Sequence, residues 1–401
     1  MEGLKKMNRS HKIRLNPNNK QITYFKKACG CSRLAYNWGL SEWKRQYEAS
    51  EKPSAYIVKK KFNSIKRDEF PFVYEVTKTA CESAFSNLDK AFKGFFRRVK
   101  SKKNPGYPKF KKKGIHDSFT IDNTKFSILG DKIKIPKLGL VRMSEELRFS
   151  GKLLSATVSR TSDIWFVSIS VETSNENDDN QAFSPVGIDL GISKLATLSD
   201  GTVFDNIRTT KLYEGRLRRI NRSLSRKKIG SNNRSKAKIK LSKLYYKIKC
   251  VRLDNIHKMT KTISDNFTHI YLEDLNVSGM IKNRKLSKAI SDASFYEIRR
   301  QLEYKSKNVN VVNRFFPSTK LCMDCGTIHE MPLSKRVFKC DCNGVEIDRD
   351  VHAAQNILRQ GLSEVKPVEM EALAVSNNSE TIVCETGNSF KGFKGNLSNF
   401  L

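Results

Sequence analysis

Three acidic residues stand where phosphodiester chemistry could use them. Asp189 ends the apolar run of Gly187-Ile188-Asp189-Leu190-Gly191, and Glu273 ends that of Ile270-Tyr271-Leu272-Glu273. Asp350 opens a helical pattern in Asp348-Arg349-Asp350-Val351-His352-Ala353-Ala354. Singly, such positions say little. A carboxylate ending a strand is commonly a turn residue, and an Asp opening a helix is commonly a cap. Three of them in a strongly basic chain read differently. Phosphodiester hydrolysis needs a metal to neutralise charge on the scissile phosphate and to activate water. Hard divalent cations choose carboxylate oxygens.

A second group has metal-ligand spacing. Cys322-Met323-Asp324-Cys325-Gly326 is a C-x-x-C-G knuckle, and Cys340-Asp341-Cys342-Asn343-Gly344 follows it. Four thiolates in two pairs suit tetrahedral Zn²⁺. The second pair is C-x-C, tighter than the usual C-x-x-C. The other reading is an eroded ribbon packed without metal, or one in which His329 replaces a poor thiolate. Either way the site is structural, because four filled positions leave none for substrate. The remaining cysteines, Cys29, Cys31, Cys81, Cys250 and Cys384, are scattered. Cys29-Gly30-Cys31 is too tight to chelate alone and reads as helix packing.

Charge is the strongest compositional signal. Across 401 residues, 75 Lys+Arg against 41 Asp+Glu leave a formal +34. Such a chain repels itself unless a polyanion neutralises it, and nucleic acid is the usual one. The bland alternative is a solvated basic surface. The segment Met1 to Arg14 is charged, with no apolar core of a signal sequence. No apolar run approaches the roughly 20 residues of a membrane span. A soluble cytoplasmic protein with reduced cysteines and no membrane partner is therefore expected.

The elements that must position these residues follow from periodicity. Lys12 to Leu15 alternates like a strand, and Asn16-Pro17-Asn18 breaks it. From Gln21 to about Phe96 apolar residues recur at helical spacing. Arg97 to Lys113 reads as a basic loop, with Gly106-Tyr107-Pro108 inside it. From Ser118 to Glu172 the period becomes two, which predicts a small β-sheet or barrel. Ser174 to Ser184 is a polar linker. Val186 to Leu190 and Lys194 to Leu198 predict a hairpin, and His269 to Leu272 and Val309 to Val312 two further strands. Residues 208–252 carry 17 Lys+Arg and one acid, Glu214, over helical apolar spacing. They predict a basic helical hairpin that tracks phosphates. Residues 294–307 and about 350–360 predict helices. Tyr36, Tyr107 and Phe110 are candidates for base stacking, although such aromatics are more often core.

Together these segments resemble the TnpB proteins of insertion sequences, which are similar to the type V CRISPR effectors. The resemblance is carried by the three acidic segments, which look like that family's three RuvC motifs. It extends to Arg14-Leu15-Asn16-Pro17, Gly106-Tyr107-Pro108, Gln301-Leu302-Glu303-Tyr304-Lys305 and Phe316-Pro317-Ser318-Thr319-Lys320-Leu321-Cys322, and so covers about residues 10–360.

It implies an α+β multidomain chain. Residues 1–18 and 114–180 would form a wedge β-barrel, and 19–113 a helical recognition insert. Residues 181–319 and 346–375 would form an RNase H-like (RuvC) nuclease domain, 320–345 an inserted zinc ribbon, and 376–401 a disordered tail. It implies an RNA-guided endonuclease that cuts double-stranded DNA beside a short transposon-adjacent motif, with a guide RNA from the transposon end. Asp189, Glu273 and Asp350 would hold two Mg²⁺, with Asp189 bridging, and Cys322, Cys325, Cys340 and Cys342 would hold Zn²⁺. A monomer with RNA is expected. Asp348 would be structural. One departure stands out: the family usually has Asn two residues after the last acid, and this chain has His352. The competing readings are an RNA-guided repressor without cleavage, and an RNase H-like transposase without RNA.

Overall fold

The alternating pattern before Asn16 does form a strand, and the Asn after Pro17 starts a helix by a two-way cap. The Asn18 carboxamide oxygen accepts from the Gln21 amide (2.9 Å), while the Gln21 side chain accepts from the Asn18 amide (3.0 Å). The computed structural model describes residues 6–102, 104–174, 183–332, 334–342, 344 and 346–364. The expected tail at 376–401, the end of the expected nuclease domain at 365–375 and most of the expected linker lie outside the described residues. The chain divides into two compact units, Met1–Asn177 and Asp178–Leu401.

In the first unit, β1 (Lys6–Leu15) leads into α1 (Asn19–Glu48), α2 (Ala55–Ile65) and α3 (Lys78–Lys100). Then come β2 (Ser118–Asp122), β3 (Ser127–Leu129), β4 (Lys132–Ile135), β5 (Gly139–Arg142), β6 (Lys152–Thr161) and β7 (Ile164–Ser174). One antiparallel sheet runs β1-β7-β6-β2 and another β3-β4-β5, joined by a bridge between Leu15 and Met143. Helices and sheets share one core, in which Phe25, Phe85, Phe119, Ile133 and Val167 are buried. Cys29 and Cys31 face this core, as helix packing requires, and burial pushes the Cys29 thiol up to about 12.

The basic loop is shorter than expected. Arg97 to Lys100 continue α3, because Lys, Arg and Val supply no breaker before Ser101. Tyr36 is core, with the Lys111 ammonium 4.2 Å above its ring. Tyr107 rests edge-on against Phe92 and Phe95 with half its surface exposed, and Phe110 is exposed.

The second unit is built on a five-stranded sheet of β8 (Pro185–Asp189), β9 (Lys194–Leu198), β10 (Val203–Asp205), β11 (His269–Glu273) and β12 (Asn308–Val312). The order is β10-β9-β8-β11-β12; the first three strands are antiparallel neighbours, and β8, β11 and β12 are parallel. Between β10 and β11 lie α4 (Thr209–Leu212), α5 (Glu214–Ser225) and α6 (Asn232–Asn266). Between β11 and β12 lie α7 (Val277–Met280), α8 (Ser287–Ala293) and α9 (Phe295–Lys305). After β12 a short hairpin, β13 (Val337–Lys339) and β14 (Glu346–Asp348), precedes α10 (Arg349–Ser363).

The central strands are apolar throughout because both faces are covered. Val186, Ile188, Ile270 and Leu272 face a cluster with Ile256 and Met259 of α6 and Ile298 and Leu302 of α9. The alternate residues face α10, where Tyr271 packs with Ile357.

α5 and α6 form the expected hairpin over a thin seam of Leu217, Leu244 and Ile248. Arg234 closes its tip by donating to the carbonyls of Leu224 and Lys227, 2.9 Å each. α6 continues well past Arg252, where the basic run stops but the apolar spacing does not.

Candidate active site

Strand parity decides which side chains α10 can meet. In β8, Gly187 and Asp189 point to one face. In β11, Tyr271 and Glu273 point to the same face, with Tyr271 beside Gly187 in the parallel register. Both acids therefore end neighbouring strands on the side that α10 covers, and Asp350 lies in the first turn of α10. That turn is fixed by Asp348, whose Oδ1 accepts from the amides of Asp350 (2.9 Å) and Val351 (3.3 Å). Its Oδ2 takes the Lys194 ammonium at 3.1 Å. Asp348 is thus a cap, as its place at a helix start predicts.

Asp189 senses the other two acids. Burial pushes the Asp189 carboxyl up to about 7; Asp350 and then Glu273 push it the same way, and the Arg349 guanidinium pulls against them. Burial also raises Glu273, with Asp274 adding to the effect. Asp274 itself is held low by Arg314 first and by Arg299, both of which pair with it. Of two adjacent acids, then, one is neutralised by arginines and the other is left to the site. Arg349 donates to Asp350 Oδ1 at 3.2 Å and to the Lys335 carbonyl at 3.2 Å. Neither Arg314 nor Arg349 was legible as a site residue in the sequence. An arginine in a chain this basic carries no signal until its partner is seen.

Among the described residues, Cys322, Cys325, Cys340 and Cys342 are the group whose ligand atoms all lie within 4.8 Å of one another. Sγ of Cys322 is 3.6 Å from that of Cys342, and Sγ of Cys325 is 3.6 Å from that of Cys340. Zn–S bonds of about 2.3 Å put tetrahedral sulfurs roughly 3.8 Å apart, so the four thiols fit that ion. The C-x-C spacing does not spoil the second knuckle. The Gly326 amide donates to the Cys322 carbonyl (3.2 Å), and the Gly344 amide donates to the Cys340 carbonyl (3.0 Å). Both turns close over the same four-residue step, and both glycines have positive φ, +73° and +66°. His329 stands outside the four, with Nε2 3.1 Å from Cys340 Sγ. Thr327 holds the Cys325 thiol down at about 6.

Comparison with known proteins places this architecture. A family profile described as "Probable transposase" matches residues 168–284, and a Cas12f1-like TNB domain matches 295–357. A profile described as a helix-turn-helix domain matches 7–52, which here hold a strand and one unbroken helix, β1 and α1. A protein of Streptomyces pristinaespiralis, named "Putative RNA-guided DNA endonuclease", is 34% identical over 90% of this chain and 91% of its own length. The chain belongs to the TnpB family. Another relative, the Escherichia coli K12 protein named "Putative RNA-guided DNA endonuclease InsQ", is 32% identical over 87% of this chain and 91% of its own. Mimivirus proteins named "TnpB-like" match over about half of the chain, at 27% identity over 46% of it. The fold also resembles Cas12f1 in its complex with single-guide RNA and target DNA, with a TM-score of 0.53 at 12% identity, over 88% of this chain and 98% of that one. TnpB membership thus rests on most of the chain. Among the described residues, no helix is long and apolar enough to cross a membrane.

Proposed function

We propose that this chain is an RNA-guided DNA endonuclease that cuts double-stranded DNA beside a short adjacent motif, with Asp189, Glu273 and Asp350 as its catalytic metal ligands. One observation carries the reading: Asp189 and Glu273 end neighbouring parallel strands on the face that α10 covers, with Asp350 in the first turn of that helix, and burial with Asp350 and Glu273 pushes the Asp189 carboxyl up. Acids that crowd one another at one place in a +34 chain are what a bound cation would relieve.

The donor set suits Mg²⁺, which takes hard oxygen ligands. Among the described residues the three carboxylates do not form a group whose ligand atoms all lie within 4.8 Å of one another, as the cysteines do. Bound Mg²⁺ would neutralise charge on the scissile phosphate and supply an activated water. The chain's own part is placement. Asp189 is the acid on which both others act, and together the three would hold the metal. Glu273 stays available because Arg314 and Arg299 take its neighbour Asp274. Asp348 and Arg349 fix the turn that presents Asp350.

The five-stranded order, with three antiparallel strands followed by two parallel ones, supports an RNase H-like reading of residues 181–319 and 346–375. The cysteine hairpin inserted before α10 reads as a zinc ribbon at 320–345, and the two sheets of the first unit as a wedge barrel with a helical insert. Guide RNA would come from the transposon end and read the target by pairing. The α5–α6 hairpin and its cluster of Arg218, Arg219, Arg222, Arg226 and Lys227 would hold phosphates, whose contacts give affinity without sequence choice.

The test is cleavage of a plasmid by the complex of the chain with copurified RNA, sequenced to give the guide. Cutting in Mg²⁺ that stops in Asp189→Ala while RNA stays bound supports the reading. Purified protein without RNA that still joins DNA ends would favour the transposase instead.

A further inference from the structure

The cysteine cluster and Asp350 are joined by a continuous line of rings. Cys340 Sγ lies 3.1 Å from Nε2 of His329. The His329 ring meets Phe338 edge-on, at 5.4 Å between centroids and 89° between planes. Phe338 in turn lies flat on His352, 3.7 Å away and 12° from parallel. His352 is on the first turn of α10, two residues after Asp350. Phe338 is 3% exposed and His352 1% exposed, so neither ring has room to slide.

The same arm of the ribbon also holds the other side of Asp350. The Arg349 amide donates to the Arg336 carbonyl at 2.8 Å, and its guanidinium to the Lys335 carbonyl. One turn further along α10, Asn356 donates to the carbonyls of Ser318 (2.7 Å) and Leu321 (2.8 Å), on the strand of chain entering the first knuckle. The start of α10 is therefore gripped before and after Asp350 by segments whose course the four cysteines set.

We infer that the cysteine cluster positions Asp350 through His329, Phe338 and His352, so that filling the cluster tightens metal binding at the acidic site. The inference rests on reading the three acids as a metal site. It also gives the His352 departure a physical meaning. A flat ring at this position stacks on Phe338 over its whole face, which an Asn carboxamide cannot do. His352 is a positioning residue here, since it touches neither the acids nor a substrate. Removing groups that orient a metal ligand commonly weakens metal binding by ~10–100-fold.

The experiment measures Mn²⁺ binding by the full chain, counting free Mn²⁺ by its electron paramagnetic resonance signal. The part lost in Asp189→Ala is binding at the acidic site. Zinc content is measured on the same samples. His352→Ala is expected to keep its zinc and weaken acidic-site binding by about tenfold. His352→Phe, which keeps a flat ring, is expected to restore it. Chelating zinc from the parent chain should weaken Mn²⁺ binding similarly, and should add nothing in His352→Ala. Should His352→Ala fail to fold, Phe338→Leu carries the same test. Parent-level Mn²⁺ affinity in a zinc-loaded variant lacking the stack would overturn the inference. So would zinc removal without effect on the parent. A parent chain with no Asp189-dependent Mn²⁺ binding sinks the metal-site reading itself, and the positioning role with it.

Discussion

Gly187 of β8 and Ala354 of α10 approach so closely that a Cβ on Gly187 would lie 2.1 Å from the Ala354 carbonyl oxygen. A second such approach lies along the same helix, where a Cβ on Gly361 would fall 2.0 Å from Cδ1 of Tyr271. These two glycines let α10 lie directly on the sheet and so bring Asp350 down to the strand ends. Neither contact can be relieved by a flexible side-chain tip, since backbone is struck in one case and a fully buried ring in the other. Gly187→Ala should therefore lift α10 and cost about 3 kcal/mol, at the upper end of ordinary overpacking. Urea denaturation of the second unit measures the cost, and cleavage should fall with it. Gly94, in α3, is the control. Nothing lies within 4 Å of its notional Cβ. Gly94→Ala should stabilise by about 0.5–1 kcal/mol.

Those glycines mark the limit of what the sequence made legible. Gly187-Ile188-Asp189 showed a strand and an acid, because a short apolar run and its polar end are local signals. The reason for the glycine lies more than 160 residues away, in a helix whose approach no local pattern encodes. Likewise the pairing of four cysteines was legible from spacing, while the ring line from His329 to His352 was not. His352 stood out only as an unusual residue, and Phe338 not at all. The ends of elements were missed where composition misled. Arg97 to Lys100 read as loop by charge, although Lys and Arg are good helix formers. The helical hairpin read as ending at Arg252 because the basic run did, whereas α6 continues to Asn266 on its apolar face.

The acidic site should trade stability for function. With a folded value near 7 against 3.8 for an unperturbed Asp, Asp189 takes up protons on folding. Its neutral form's contribution is fully present below 3.8 and is gone above about 7. Asp189→Asn should therefore raise the melting temperature of the metal-free chain at pH 8 by several degrees, and the gain should vanish near pH 4. Mg²⁺ should stabilise the parent chain at pH 8 and leave the variant unmoved. Scanning calorimetry across that range is the check; an unchanged or lower melting temperature for the variant at pH 8 counts against a repulsive acidic cluster.

Glu42 in α1 works with the opposite sign. It is 8% exposed and accepts from Arg45, Lys61 and Gln46, whose contacts to Oε1 are 2.8, 2.8 and 2.9 Å. The Arg45 guanidinium first, then Lys61 and Gln46, holds its carboxyl at about 2 against an ordinary 4.5. A depressed carboxylate stabilises the fold above its unfolded value and loses that contribution as pH falls through the folded one. The stability gap between the parent chain and Glu42→Gln should thus be full at pH 6, about 2 kcal/mol for a buried charged hydrogen-bond cluster. It should shrink between pH 4.5 and about 2. Urea midpoints for both chains at each pH would reveal a flat gap if Glu42 were not the group responsible.

The α5–α6 hairpin carries the clearest electrostatic prediction. Its buried seam is thin, with Leu217, Leu244 and Ile248 as its fully covered members. Such a hairpin has little reason to project so much charge unless a polyanion lies along it. Arg218, Arg219, Arg222, Arg226 and Lys227 line one concavity along α5 and the turn that follows it. Of these, Arg218 has an acidic neighbour, Glu214 at 3.4 Å, and its side chain is still two-thirds exposed. Glu214 is shared with Lys288 at 2.8 Å. Each phosphate that loses its cationic partner should reduce the slope of log affinity against log salt by about 0.9 on duplex, or ~0.7 on a single strand. Arg219→Ala with Arg222→Ala should therefore flatten that slope by nearly two on duplex, weaken binding equally for all sequences, and leave the melting temperature within a degree or two because neither residue belongs to the seam. Binding titrations with one guide RNA at four salt concentrations, and with unrelated RNAs of equal length, measure the first two effects, and a thermal melt of each chain measures the third. A loss confined to one RNA sequence would mean base readout rather than phosphate tracking, and an unchanged slope would remove this face from the nucleic-acid path.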